Sequence, residues 1–269
     1  MKTNHQLKQL KDKSFTIELT LSAADIKKEY EHVLSEIQTS FEKKGFRKGK
    51  APLDVVEQNI SPQQVIEEVL NHLLPKAYKE IIDEHKLKPI TEPTIKIKTE
   101  KLSLDSDWVL ELESAELPEV LIDPAFFNEI KPLNKDQKND QKTKTDKIIA
   151  LILKHTQIEL PSVLLNNDVN RRLSDLVEHL ESAKLTVDQY LKSKNTTLPK
   201  YREELESQIK KDWALNLAIN QIAIDKNIKV EEKEIEDIFT KNPELKKDPN
   251  LVYFLLTQQK VLDYLQSIL

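Results

Sequence analysis

Between Ser14 and Leu21, Phe15, Ile17, Leu19 and Leu21 alternate with Thr16, Glu18 and Thr20, the period-two pattern of a strand with one buried face. Ser22-Ala23-Ala24-Asp25 then reads as a capped helix start. Ile26, Tyr30, Val33, Leu34, Ile37 and Phe41 recur at helical spacing from there up to Gly45, so a long helix should end in a glycine loop. A short helix is expected after Pro52 through Val55, Val56 and Ile60. Ser61-Pro62 opens another, since a cap followed by proline at the first helical position suits a helix start. That helix carries Val65, Ile66, Val69, Leu70, Leu73, Leu74, Ala77, Tyr78, Ile81 and Ile82, a stripe that must lie on a sheet or helix, and Pro75 should kink or split it. Alternation returns over Thr94 to Glu100 and over Asp107 to Glu113. Strand, helices, strand, strand predicts an α+β domain over residues 1–116.

The pattern fades after that. Residues 117–147 are expected to be a linker, because the run from Lys131 to Lys147 holds a single leucine and has little to bury. From residue 148 to 269 every segment has helical spacing: Ile148 to His155, Pro161 to Leu180, Thr186 to Leu191, Leu198 to Ile224, Glu231 to Phe239 and Leu251 to Leu269. This predicts an elongated all-α second domain. The apolar spacing wanders and no fixed period repeats, which excludes a coiled coil or regular solenoid.

Composition narrows the function classes. With 38% hydrophobic, 32% charged and 6% aromatic residues, the 269-residue chain favours long solvated helices. Its net charge of -5 argues against broad nucleic-acid binding, so an anionic partner must be met locally. There is no cysteine, hence no disulfide framework and no thiolate metal site. The opening is polar without an apolar leader, and no stretch approaches a membrane span, so a cytoplasmic protein is expected. His5, His32, His72, His85, His155 and His179 stand singly, with no pair at the helical metal-site spacing. Two glycines are too few for a phosphate-cradling loop. Neighbouring carboxylates such as Glu67-Glu68 read as solvated faces. No catalytic site, metal or cofactor is expected.

One segment concentrates chemistry. Both glycines of the chain stand in Gly45-Phe46-Arg47-Lys48-Gly49-Lys50-Ala51-Pro52, preceded by Lys43 and Lys44. Glycine tolerates left-handed backbone and close approach, so a tight exposed loop follows. It crowds cations around one aromatic, Phe46, where little core is available, and such loops concentrate binding function. In the second half, Phe126, Phe127, Tyr253 and Phe254 are candidates for lining an apolar cleft.

The run Gly45 to Pro52 resembles the GFRxGKxP signature of bacterial trigger factor, the chaperone that docks beside the ribosomal exit tunnel. Lys88-Pro89-Ile90-Thr91-Glu92-Pro93 and the Trp108 strand ending in Leu117-Pro118-Glu119-Val120 resemble that family's ribosome-binding domain. Ile158 to Leu165, Asp188-Gln189-Tyr190-Leu191 and the Arg202 to Ile224 helix resemble its C-terminal chaperone domain. The chain leaves no room for the prolyl isomerase domain that the family usually inserts between these halves, so the resemblance implies a non-enzymatic form. It places ribosome contact on Phe46, Arg47 and Lys48, with Lys44, Gly45, Gly49, Lys50 and Pro52 shaping or flanking the loop. The implied partners are the large ribosomal subunit, through a ribosomal protein and rRNA at the tunnel exit, and unfolded nascent chains held without ATP; no membrane partner is expected, and a homodimer off the ribosome is a further option. A free holdase or ribosome-assembly factor is the alternative reading, and a prolyl isomerase with an unrecognised site a third.

Overall fold

The computed structural model describes residues 4–135 and 141–268 and divides the chain into two compact units, 1–117 and 118–269. The first unit is an antiparallel sheet under helices. Its strands are β1 (Asn4–Gln9), β2 (Ser14–Leu21), β3 (Thr94–Ile97) and β4 (Trp108–Ala115), ordered β1-β2-β4-β3. Alternation sets the burial: Phe15, Ile17, Leu19 and Leu21 on β2, with Trp108, Leu110 and Leu112 on β4, face the core. The opposite face carries Lys96, Lys98, Glu111 and Glu113, whose charges interleave at 2.6–3.6 Å.

Two long helices cover the apolar face. Helix α1 (Ala23–Ser40) begins at Ser22, whose hydroxyl accepts from the Asp25 amide, and buries Ile26, Tyr30, Val33 and Leu34. The short α2 (Leu53–Glu57) follows the loop, and Tyr30 donates to Glu57 across 3.0 Å. Helix α3 (Pro62–His85) buries Val65, Val69, Leu73, Ala77 and Ile81, a row at four-residue intervals that lies along one side. Pro75 sits inside this helix without splitting it. The helix closes on Lys86 in a left-handed conformation, with φ of 54°.

The second unit begins at Pro118, and here the linker expectation for 117–147 differs from the structure. Strand β5 (Val120–Ile122) and helix α4 (Ala125–Lys135) occupy its first half, and α5 (Gln141–His155) starts well before Ile148. The reason is apolar side chains outside the lysine-rich run: Phe126 and Ile130, four residues apart on α4, are fully buried. Positions 136–140 lie outside the described residues. The rest comprises β6 (Thr156–Ile158), α6 (Ser162–Ser182), α7 (Val187–Ser193), α8 (Leu198–Asp225), α9 (Glu232–Lys241), a 3-10 turn (Pro243–Lys247) and α10 (Pro249–Ser267). The unit is helical but not purely so, since β5 and β6 pair antiparallel.

Helix α8 organises this unit. Its 28 residues span roughly 42 Å at the α-helical rise. Ala218, Ile219, Ile222 and Ala223 near its end join Phe126, Ile130, Ile148, Ile152, Val261 and Leu265 in one core. At its middle, polar pairs hold α6: Trp213 Nε1 donates to Asp168 at 2.7 Å, and Arg172 meets Asp212 at 2.6 Å. Thr186 and Gln189 form a reciprocal capping box at the start of α7.

Candidate functional site

The loop between α1 and α2 is built from two successive turns. The Phe46 amide donates to the Lys43 carbonyl at 3.0 Å, and the Lys50 amide to the Arg47 carbonyl at 2.9 Å. Each turn has glycine third, Gly45 with φ of 99° and Gly49 with φ of 72°, where a type II turn requires positive φ. The four-residue spacing of the glycines is thus the spacing of the two turns. Gly49 has a second constraint, because a Cβ there would stand 2.8 Å from the Thr39 carbonyl oxygen, whereas one on Gly45 would meet open space.

The base of the loop is tied to α1. The Gly49 amide donates to the Phe41 carbonyl at 3.1 Å, and Gln38 Nε2 donates to the Ala51 carbonyl at 2.7 Å. Ala51 is buried and anchors the return path. The tip stays outside. Lys43 to Lys48 are all exposed, and Phe46 keeps 41% of its surface in solvent. Glu42, Lys43, Lys44, Phe46 and Lys48 line a shallow open depression of about 460 Å³.

Lys48 pairs with Glu42 at 2.9 Å, both well exposed, an interaction worth at most about 1 kcal/mol and cheaply exchanged for another anion. Arg47 has no ion-pair partner among the described residues. All eight residues singled out in the sequence, Lys44 to Lys50 together with Pro52, therefore fall in one segment clamped at its base and solvated at its tip. Sequence reasoning missed Leu53, 39% exposed just after Pro52, which adds apolar surface to the segment. It also missed Gln38, which clamps the loop, and Thr39, whose carbonyl crowds Gly49; both roles are visible only once the chain returns to α1.

Two protein-family models match this architecture. One, described as "Bacterial trigger factor protein (TF)", matches residues 2–148; the other, "Bacterial trigger factor protein (TF) C-terminus", matches 129–269. The chain belongs to the trigger factor family. The two matches overlap, leaving no stretch between them for the isomerase domain that typical trigger factors insert. Trigger factor of Streptococcus pneumoniae (strain JJA) is 33% identical over 101 residues, covering 38% of this chain and 23% of that one. Trigger factor of Streptococcus mutans serotype c (strain ATCC 700610 / UA159) is 31% identical over 104 residues, covering 39% and 24%. The chain thus spans less than a quarter of the length of these curated relatives.

A solved structure described as "Promiscuous Substrate Recognition in Folding and Assembly Activities of the Trigger Factor Chaperone" superposes with a TM-score of 0.61 at 14% identity. That match covers 97% of this chain and 99% of the other, and it is a likeness of trigger factor fold.

The aromatic candidates of the second unit separate. Phe126 is fully buried, stacked edge-on against Phe127 at a centroid distance of 5.1 Å, so it is a core residue and not a surface for clients. Its i, i+4 partnership with Ile130 draws it inside. Phe127 is half-buried under Lys226, whose Nζ lies 4.6 Å from the ring centre. Tyr253 is 49% exposed and Phe254 half-buried, and Leu251 and Leu255 beside them on α10 are also exposed. No helix among the described residues is long and apolar enough to cross a membrane.

Proposed function

We propose that this chain is an ATP-independent chaperone of the cytosol that docks on the large ribosomal subunit near the tunnel exit and holds unfolded nascent segments on its helical unit. The carrying observation is the loop: two consecutive turns, clamped to α1, present exposed Phe46 and Arg47 from a backbone that is already ordered. Pre-ordering lowers the entropic cost of docking. Arg47 and Lys48 supply charge-assisted contacts to rRNA phosphates or acidic groups of a ribosomal protein, and Phe46 supplies the apolar anchor. Membership in the trigger factor family supports the same reading.

Client holding rests on separate features. Leu185, Leu198, Ile224, Leu251, Tyr253 and Leu255 expose apolar surface on the second unit, dispersed rather than gathered in one pocket. Scattered weak contacts suit promiscuous recognition and release by simple dissociation. Phe127 and Phe254 contribute at the edges of this surface. Off the ribosome the chain is either a free monomer or a homodimer.

The holding activity is tested by aggregation of a chemically denatured client diluted into buffer without nucleotide. The chain at a few-fold excess should suppress light scattering, and Leu251→Ser with Tyr253→Ser should weaken the effect. No suppression at all would point to a ribosome-assembly role instead, and suppression that appears only when ATP is added would overturn the ATP-independent reading. A proline-peptide assay should show no acceleration of cis-trans exchange.

A further inference from the structure

Helix packing in the first unit gathers side chains that stand far apart in the sequence. Glu29, His32 and Glu36 follow one another at three- and four-residue steps on α1 and therefore share a face. His72 on α3 is brought against that face. Its Nδ1 lies 2.9 Å from Glu29 Oε1, and its Nε2 lies 3.8 Å from Glu36 Oε2. His32 Nδ1 is 3.6 Å from Glu29 Oε1 and 3.8 Å from Glu36 Oε1. One ligand atom from each of Glu29, His32 and His72 fits within 4.8 Å of the others. The expectation that these histidines stand singly holds along the sequence and fails in space.

We propose that Glu29, His32 and His72 form a three-residue binding site for a zinc ion, with water completing the coordination and Glu36 adding negative charge beside it. A tetrahedral zinc with bonds of about 2.0–2.1 Å holds its ligand atoms about 3.3 Å apart, and the separations around Glu29 straddle that value. Two imidazole nitrogens with one carboxylate are a donor set that suits zinc, while calcium and magnesium prefer oxygen alone. Two carboxylates converge on the same pair of imidazoles, which places net negative charge where a dication would sit. Glu29 is mostly shielded, with 15% of its side chain exposed, and His32 at 59% leaves the approach open.

The site joins two helices. Glu36 stands one turn before Ser40, where α1 ends and the glycine loop begins, so a bound ion staples the helix that carries the loop to α3. The inference stands whether or not the loop docks on a ribosome.

Zinc titrated calorimetrically into the tag-free full chain tests it, with His32→Ala as the lead variant because that side chain is 59% exposed and lies outside the core. His72→Gln is the second variant, and His5→Ala with His85→Ala is the control, since that pair with Glu84 forms a separate group. The wild type should bind zinc at micromolar concentration or tighter, undisturbed by a hundredfold excess of magnesium. His32→Ala and His72→Gln should each lose one equivalent or weaken it at least tenfold, and the control should retain it. Zinc should raise the Tm of the wild type by several degrees and that of His32→Ala by less. No binding by the wild type, or titrations of both variants that match it, would overturn the proposal.

Discussion

At the scale of residues, the loop distinguishes its two glycines. Both adopt positive φ, so alanine at either should cost about 1–2 kcal/mol through backbone strain. Gly49→Ala should cost more than Gly45→Ala, because only at Gly49 does the new Cβ strike backbone. Chemical denaturation of the two variants checks the order, and equal losses would mean that the Thr39 contact carries no weight. Tyr30 gives a pH prediction. Burial, then its hydrogen bond to Glu57, push its phenol up to about 12 from an ordinary value of 10.0. The folded state therefore keeps a proton that the unfolded state releases, and this contribution to stability is full below pH 10 and lost as pH rises to about 12. Stability should fall over that window, and Tyr30→Phe should flatten part of the fall in a pH series of unfolding curves.

Elements show how far the sequence could be read. Helix α3 and strand β2 were legible because one buried face imposes a clear period on each, and Ser61-Pro62 marks the start of α3. Strand β1 was not, since Asn4–Gln9 is an edge strand with Leu7 its single aliphatic residue, ordered through its ladder with β2. The three-residue strands β5 and β6 are too short for periodicity to register. Helix α4 was hidden by the adjoining lysine-rich run, although its Phe126 and Ile130 already had helical spacing. Phe126→Ala should remove about 3–5 kcal/mol from the second unit, as expected for emptying an enclosed aromatic site, while Tyr253→Ala should cost little. Thermal unfolding of both variants separates core from surface. The loop was legible in kind, through glycine and charge, but its double turn and its clamp to Gln38 and Phe41 were not, because they depend on where α1 stops. The grouping of His72 with Glu29 was equally invisible, since 43 residues separate them and only the packing of α1 on α3 unites them.

For the whole molecule, a net charge of -5 confines attraction for an anionic surface to the basic loop. Binding through so small a patch should be salt-sensitive yet lack the steep dependence of a protein that tracks many phosphates. The helical unit brings dispersed apolar surface in the same chain, so docking and holding are separable: loop variants should lose ribosomes and still suppress aggregation. The most direct test of the central claim is co-sedimentation with bacterial ribosomes at low and moderate salt, comparing the wild type with a variant carrying Phe46→Ala, Arg47→Ala and Lys48→Ala. Wild-type binding should weaken as salt rises and be lost in the variant. Equal sedimentation of the two proteins, or no sedimentation of the wild type at low salt, would contradict the claim.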